Sequence, residues 1–168
     1  MSSIDEIRDV RLAKLEILKQ KGVNPYPSKS NREMSLVDAI KDFEKLEKEG
    51  VDKWVSGRVM SIRGQGAIVF ITLYDGTASF QALLKKDVIG EDKLAFWSEV
   101  ADIGDFVEVQ GRFFTTQRGE KTVEVKDWRM LSKSLRPLPE KWHGLVDEET
   151  KLRKRYLDIL TDSKTKEI

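Results

Sequence analysis

The chain has 168 residues, enough for one core with helical appendages. Its 30 Lys and Arg against 29 Asp and Glu leave a formal net charge of +1, so any nucleic-acid site has to be local and shaped rather than a generally basic surface. There is no cysteine, which excludes disulfides, a cysteine-ligated zinc and a thiol nucleophile and fits a reducing cytoplasm. The opening residues Met1 to Glu6 lack the pattern of a secretory signal, and no stretch approaches the ~20 apolar residues of a membrane span, so a cytoplasmic chain with no membrane partner is expected.

Ser3 and Glu6 have capping-box spacing and start a helix whose apolar face holds Ile4, Ile7, Leu15 and Leu18, with Arg11 interrupting it. Gly22 ends this helix, and Asn24-Pro25-Tyr26-Pro27 opens an extended connector running to Arg32. A second helix starts near Ser35, carries Leu36, Ile40, Phe43 and Leu46 on one side, and stops at Gly50. The charged run Glu44–Glu49 reads as its solvated face. From Trp54 the period changes to that of strands, predicted over 54–63, 67–74 and 77–84. Gly90 marks a break before a helix over 91–100, and two more strands follow over 106–115 and 122–130, joined by the turn Gln117-Arg118-Gly119-Glu120. Leu135-Arg136-Pro137-Leu138-Pro139 reads as a linker. A charged helix is predicted from Asp147 to Leu160, with Leu152, Tyr156, Leu157 and Leu160 as its apolar positions, followed by a polar tail.

Three strands, a helix and two strands make the element order of an OB-fold, a five-stranded Greek-key barrel. The fold class is therefore mainly β with flanking helices. Another small barrel, or an open sheet with a packed helix, fits the same pattern. An Asp75-Gly76 two-residue hairpin loop would set Tyr74 opposite Thr77, Thr72 opposite Ser79 and Phe70 opposite Gln81. Val69, Ile71 and Leu73 then share the interior with Phe80, Ala82 and Leu84, while Phe70, Thr72, Ser79 and Gln81 face outward. An outward aromatic can stack an unpaired base and an outward amide can read a base edge. Equally, a neighbouring helix could cover Phe70 and leave Gln81 as plain surface. Arg63 could hold a phosphate or stack on a base, and Glu120 could accept a hydrogen bond from one, though each taken alone reads as an ordinary surface or turn residue.

Enzyme chemistries fare worse. His143 is the only histidine, so no histidine-rich metal site or histidine dyad can be built. Gly64-Gln65-Gly66 lacks the Gly-Lys-Ser/Thr of a phosphate-binding loop and reads as a hairpin turn. No catalytic, cofactor or metal site is assigned.

Five passages carry a resemblance: LAKLEILKQKGVNPYP, VSGRVMSIRGQG, FITLYDGTASFQ, IGDFVEVQGRFFTTQRGE and LSKSLRPLPEKWHGLVDEETKLRKRYLDIL. Together they resemble the N-terminal part of class II lysyl-tRNA synthetases over nearly the whole chain. The last passage separates that family from the aspartyl and asparaginyl enzymes. The resemblance implies an OB-fold that grips the anticodon loop of tRNA-Lys. In it Phe70 matches the aromatic that stacks an anticodon base, Gln81 the amide that reads the central uridine, and Arg63 and Glu120 further anticodon contacts. The sequence departs from the family at Ala67-Ile68-Val69, where a lysine is frequent, so a phosphate contact from that lysine is not expected. The implied organisation is a helical extension over 1–50, the anticodon-binding OB-fold over 51–133, and over 134–168 a linker with the truncated start of a catalytic domain. For the parent enzyme the resemblance implies a cytoplasmic homodimer that uses ATP and magnesium to form lysyl-adenylate; no cofactor is expected on this stretch. The alternative is a freestanding OB module that binds single-stranded nucleic acid without specificity, and a third reading is a protein-interaction barrel.

Overall fold

Ser3 caps the first helix as its spacing requires: its hydroxyl accepts from the Glu6 amide, and the Glu6 carboxylate accepts in return from the Ser3 amide. In the computed structural model, which describes residues 3–64, 66–139, 145–162 and 165, this helix α1 spans Ile4–Gln20. Leu15 and Leu18 are buried, but the predicted apolar face is corrected at two positions. Ile4 is exposed, and Arg11 is buried, donating to the carbonyls of Ile103 and Ser134. Arg11 thus meets the backbone carbonyls of the strand region instead of interrupting a hydrophobic contact.

The helix predicted from Ser35 to Gly50 is two short helices, α2 (Leu36–Lys41) and α3 (Phe43–Glu49), with Asp42 between them. The break turns Phe43 onto Phe80 and Phe113, with ring centroids 6.2, 6.2 and 5.7 Å apart. Strands β1 (Lys53–Arg63), β2 (Ile68–Tyr74), β3 (Ser79–Lys85), β4 (Phe106–Thr115) and β5 (Lys121–Ser132) close a barrel in the order β1-β2-β3-β5-β4. Only β3 and β5 pair parallel; the other neighbours are antiparallel. This is the OB-fold expected from the element order. The β3–β4 connection holds α4 (Lys86–Ile89), which the sequence reading missed, and α5 (Glu91–Val100), whose Trp97 meets Trp128 edge-on at 5.0 Å. Strand β4 passes close to β5 at a bulge: a side chain at Gly111 would collide with the Glu124 carbonyl.

Alternation places the predicted residues inside. Val69, Ile71, Leu73, Phe80, Ala82 and Leu84 are all buried in the barrel core. The predicted register is nevertheless wrong by two residues. Tyr74 pairs with Ser79, Thr72 with Gln81 and Phe70 with Leu83, around a four-residue loop, Asp75–Ala78. The cause is Asp75. Its carboxylate accepts from the amides of Thr77 and Ala78, from the Thr77 hydroxyl and from the amide of Leu36. Those bonds use up the turn that a two-residue loop would have made. Because the slip is an even number of residues, every side chain keeps its predicted face.

Polar ties hold the helical segments against the barrel. Lys133, fully buried, donates to Asp102 at 2.6 Å and to Asp105 at 2.8 Å, and Lys14 of α1 reaches Asp102 at 2.6 Å. Burial alone would raise the Asp102 carboxyl, but the hydrogen bonds and positive charges of Lys133 and Lys14 outweigh it and hold the group below its usual value. The connector is held by the buried Glu108, which accepts from the Ser30 hydroxyl and from the backbone and side chain of Asn31.

Two units are distinguished, Met1–Leu135 and Arg136–Ile168. The helix predicted over 147–160 appears in the second as α6 (Glu148–Arg153) and α7 (Arg155–Thr161), separated at Lys154. Asp147 caps α6, accepting from the Thr150 amide and hydroxyl. Leu152 and Tyr156 are exposed, and Asp158 is buried. His143 and most of the polar tail lie outside the described residues.

Candidate nucleic-acid interface

Strand alternation and three pairings bring the four predicted residues to one groove. Arg63 ends β1 directly opposite Phe70 of β2, and Gln81 of β3 lies between Thr72 of β2 and Thr122 of β5. Glu120 stands just before β5, in a turn closed by the Thr116 amide on the Glu120 carbonyl and the Gly119 amide on the Thr116 carbonyl. Gly119 takes φ +82°, which suits glycine and re-aims the chain there. The resulting cavity, about 620 Å³, is lined by Arg63, Phe70, Gln81 and Glu120 together.

Polar contacts inside the groove are specific. An Arg63 guanidinium N–H donates to Gln81 Oε1 at 2.7 Å, and Gln81 Nε2 donates to the Thr122 hydroxyl at 2.9 Å. The Thr122 hydroxyl in turn donates to the Glu120 carbonyl at 3.2 Å. The Arg63 guanidinium also lies 6.0 Å from the Phe70 ring centroid, at the edge of cation–π range. Phe70 is half-buried, with the paired Leu83 beside it, and it lines the cavity, with no helix among the described lining residues. The predicted side-by-side pairing of Phe70 with Gln81 is corrected to a diagonal one, with Arg63 touching both.

Sequence reasoning missed four lining or supporting residues. Phe114 follows the buried Phe113 in a strand, so alternation alone could have turned it toward the groove. Lys85 and Arg118 add positive charge and have no ion-pair partner among the described residues, a placement that phosphate would use well. Thr122 carries no local signal, because its role follows from the parallel β3–β5 pairing between distant segments. Chemically, the groove offers an aromatic face, one held amide, a carboxylate and unpaired cations, which suits an extended anionic chain with exposed flat bases. Among the described residues no group of three or more His, Cys, Asp or Glu is placed to hold a metal ion, and no helix is long and apolar enough to cross a membrane.

Comparison with known proteins agrees with this geometry. Residues 53–131 match the family model for the OB-fold nucleic acid binding domain of the tRNA anti-codon type. The chain is 38% identical to a lysine–tRNA ligase of Thermosipho melanesiensis over 95% of its own length and 33% of the ligase. It is 41% identical to the enzyme of that name from Syntrophomonas wolfei over 99% of its length and 33% of the ligase. A lysine–tRNA ligase of Aquifex aeolicus is 48% identical over 68% of the chain and 19% of the ligase. The chain thus spans about a third of the length of most curated relatives it matches.

Proposed function

Because the chain belongs to the lysine–tRNA ligase family as its anticodon-binding OB-fold domain, we propose that its groove grips the anticodon loop of tRNA-Lys and reads the central uridine. Phe70 stacks an anticodon base, Gln81 hydrogen-bonds the edge of the central uridine, Arg63 holds Gln81 and meets the backbone or a base, and Glu120 accepts from a neighbouring base. The observation that carries the reading is the convergence of these four residues on one cavity. Uracil presents acceptors and a donor along its edge, and an amide supplies both complements. The assigned stretches are a helical extension over 1–50, the reader over 51–133, and over 134–168 a connection toward the rest of the parent protein.

On the same reading, the parent is a cytoplasmic, homodimeric ligase. It joins lysine to tRNA with ATP and magnesium, and that chemistry lies in the part of the relatives that this chain does not span. No step of that chemistry is assigned to the described residues.

The test is a binding matrix. Wild type, Gln81→Ala and Gln81→Glu are titrated with RNA hairpins that differ only at the central loop base. Gln81→Ala should narrow the preference for uridine over cytidine, and Gln81→Glu should weaken uridine binding selectively, since a carboxylate cannot donate to its carbonyl oxygens. Equal loss for every loop would remove Gln81 as the reader. Binding indifferent to loop sequence in the wild type would favour a non-specific single-strand module instead.

A further inference from the structure

If Gln81 contacts a base, as proposed above, then which end of its amide points where decides which base fits. The free amide of a glutamine can turn over, exchanging donor for acceptor at nearly no cost in shape. In this groove it cannot do so freely. Arg63 has only N–H groups to offer, so the atom facing it at 2.7 Å has to be the oxygen. The Thr122 hydroxyl has a single proton and spends it on the Glu120 carbonyl, which can only accept; the hydroxyl oxygen is therefore left to accept from Gln81 Nε2. Turning the amide over would set two donors against each other at Arg63. At Thr122 it would either face two acceptors or take the proton from the Glu120 carbonyl.

The two holders differ in durability. Arg63 is exposed, on a long side chain that a bound phosphate or base can draw away. Thr122 is fully buried and sits on β5 in register with Gln81. We propose that Thr122 is a specificity-determining positioning residue: without touching RNA, it fixes the polarity of the Gln81 amide and so selects uracil over cytosine.

The selection follows from what remains free. One Nε2 proton and one Oε1 lone pair are uncommitted. Uracil presents its O4 acceptor beside its N3–H donor, matching Nε2 and Oε1 in that order. Cytosine presents an amino donor beside its N3 acceptor, the reverse order. A base held in the same stacked position reads correctly against the fixed amide only as uracil; cytosine needs the turned-over amide, which Thr122 opposes.

The experiment uses the 168-residue chain and RNA hairpins carrying UUU or UCU in the loop, with binding followed by fluorescence anisotropy. The variants are Thr122→Val, which keeps the shape and removes the hydroxyl, Thr122→Ser, which restores it, and Gln81→Ala. Thr122→Val should cut the U-over-C preference by about fivefold, the factor that one hydrogen bond of ordinary net strength carries; Thr122→Ser should keep most of it. Equal weakening of both RNAs by Thr122→Val would show a merely structural role and overturn the proposal. Full preference in Thr122→Val, with preference lost in Gln81→Ala, would also overturn it while leaving Gln81 as the reader. Preference intact in Gln81→Ala would instead sink the reading of Gln81, and the proposal with it. Should Thr122→Val not fold, the wild type decides by NMR. Protection of one Gln81 Nε2 proton from exchange with water, together with its cross-peak to the Thr122 methyl, supports the lock, and exchange of both protons at the rate of a free side-chain amide with no such cross-peak refutes it.

Discussion

Replacing Phe70 with alanine should weaken RNA binding without changing which sequence is preferred. Stacking of one base on an aromatic side chain is worth about 1–3 kcal/mol and is tolerant of base identity, since every base has a face. Two features of this site adjust that range. The ring is half-buried beside its cross-strand neighbour Leu83 and lines the groove, where a base can reach it. Its other contact is the Arg63 guanidinium at 6.0 Å, a cation–π interaction worth about 0.5–1 kcal/mol at an exposed site. A base that displaces the guanidinium forfeits that amount, leaving a net loss on Phe70→Ala of about 0.5–2 kcal/mol, or roughly 2- to 30-fold in Kd. Titration of the UUU hairpin and of loops altered at each base measures it, at fixed salt because the phosphate contribution depends on ionic strength. Phe70→Leu separates stacking from simple apolar cover: it should recover little of the loss. A Phe70→Ala effect below twofold, or one confined to loops with a central uridine, would refute the assignment of stacking to Phe70. A circular dichroism melt of each variant guards against a folding defect, which the outward position of the ring makes small.

Two further outcomes are expected. Asp75→Ala should destabilise the barrel by about 2–3 kcal/mol in urea unfolding at neutral pH, because it removes the buried carboxylate that accepts from the Leu36, Thr77 and Ala78 amides and leaves those donors without it. Burial alone would raise the Asp75 carboxyl, but the Thr77 hydroxyl and these amides outweigh it and leave it below its usual value; its contribution is therefore present above about pH 4 and lost as pH falls through the lower folded value, so the gap to wild type should narrow in acid, and a gap unchanged between pH 7 and pH 3 would contradict this. The 168-residue chain by itself should show no lysine-dependent exchange between ATP and pyrophosphate, and robust exchange from a preparation free of full-length ligase would count against placing the chemistry outside it.

Legibility in this sequence divides by how far apart the deciding groups are. The five strands, α1 and α5 were readable because their signals are local: alternation every second residue, a capping box at Ser3 and Glu6, and glycine where the chain turns. Arg11 was misread for the opposite reason. Its partners, the Ile103 and Ser134 carbonyls, lie 92 and 123 residues away, so nothing near it in sequence could distinguish a buried donor from an interruption. Helix α4 is too short for periodicity to register.

The same division explains what was known of the groove and what was not. The face on which Phe70 and Gln81 lie depends only on parity, and parity survived a register error because the Asp75 loop shifted the pairing by an even number. Their partner assignments depend on loop length, which Asp75 sets through its bonds to the nearby Thr77 and Ala78 amides and to the Leu36 amide across 39 positions. An odd slip would have turned Phe70 and Gln81 inward and exposed the hydrophobic set to water, which the core could not tolerate; an even slip costs no burial and so leaves no trace in the hydrophobic pattern. Thus sequence can place reading side chains on the correct surface while leaving open which of them touch. The contacts that hold the Gln81 amide came from long-range pairing: Arg63 across β1 and β2, Thr122 across the parallel β3–β5 seam. Affinity from Phe70 requires only that a face be exposed, whereas discrimination by Gln81 requires the closed barrel that brings Thr122 beside it.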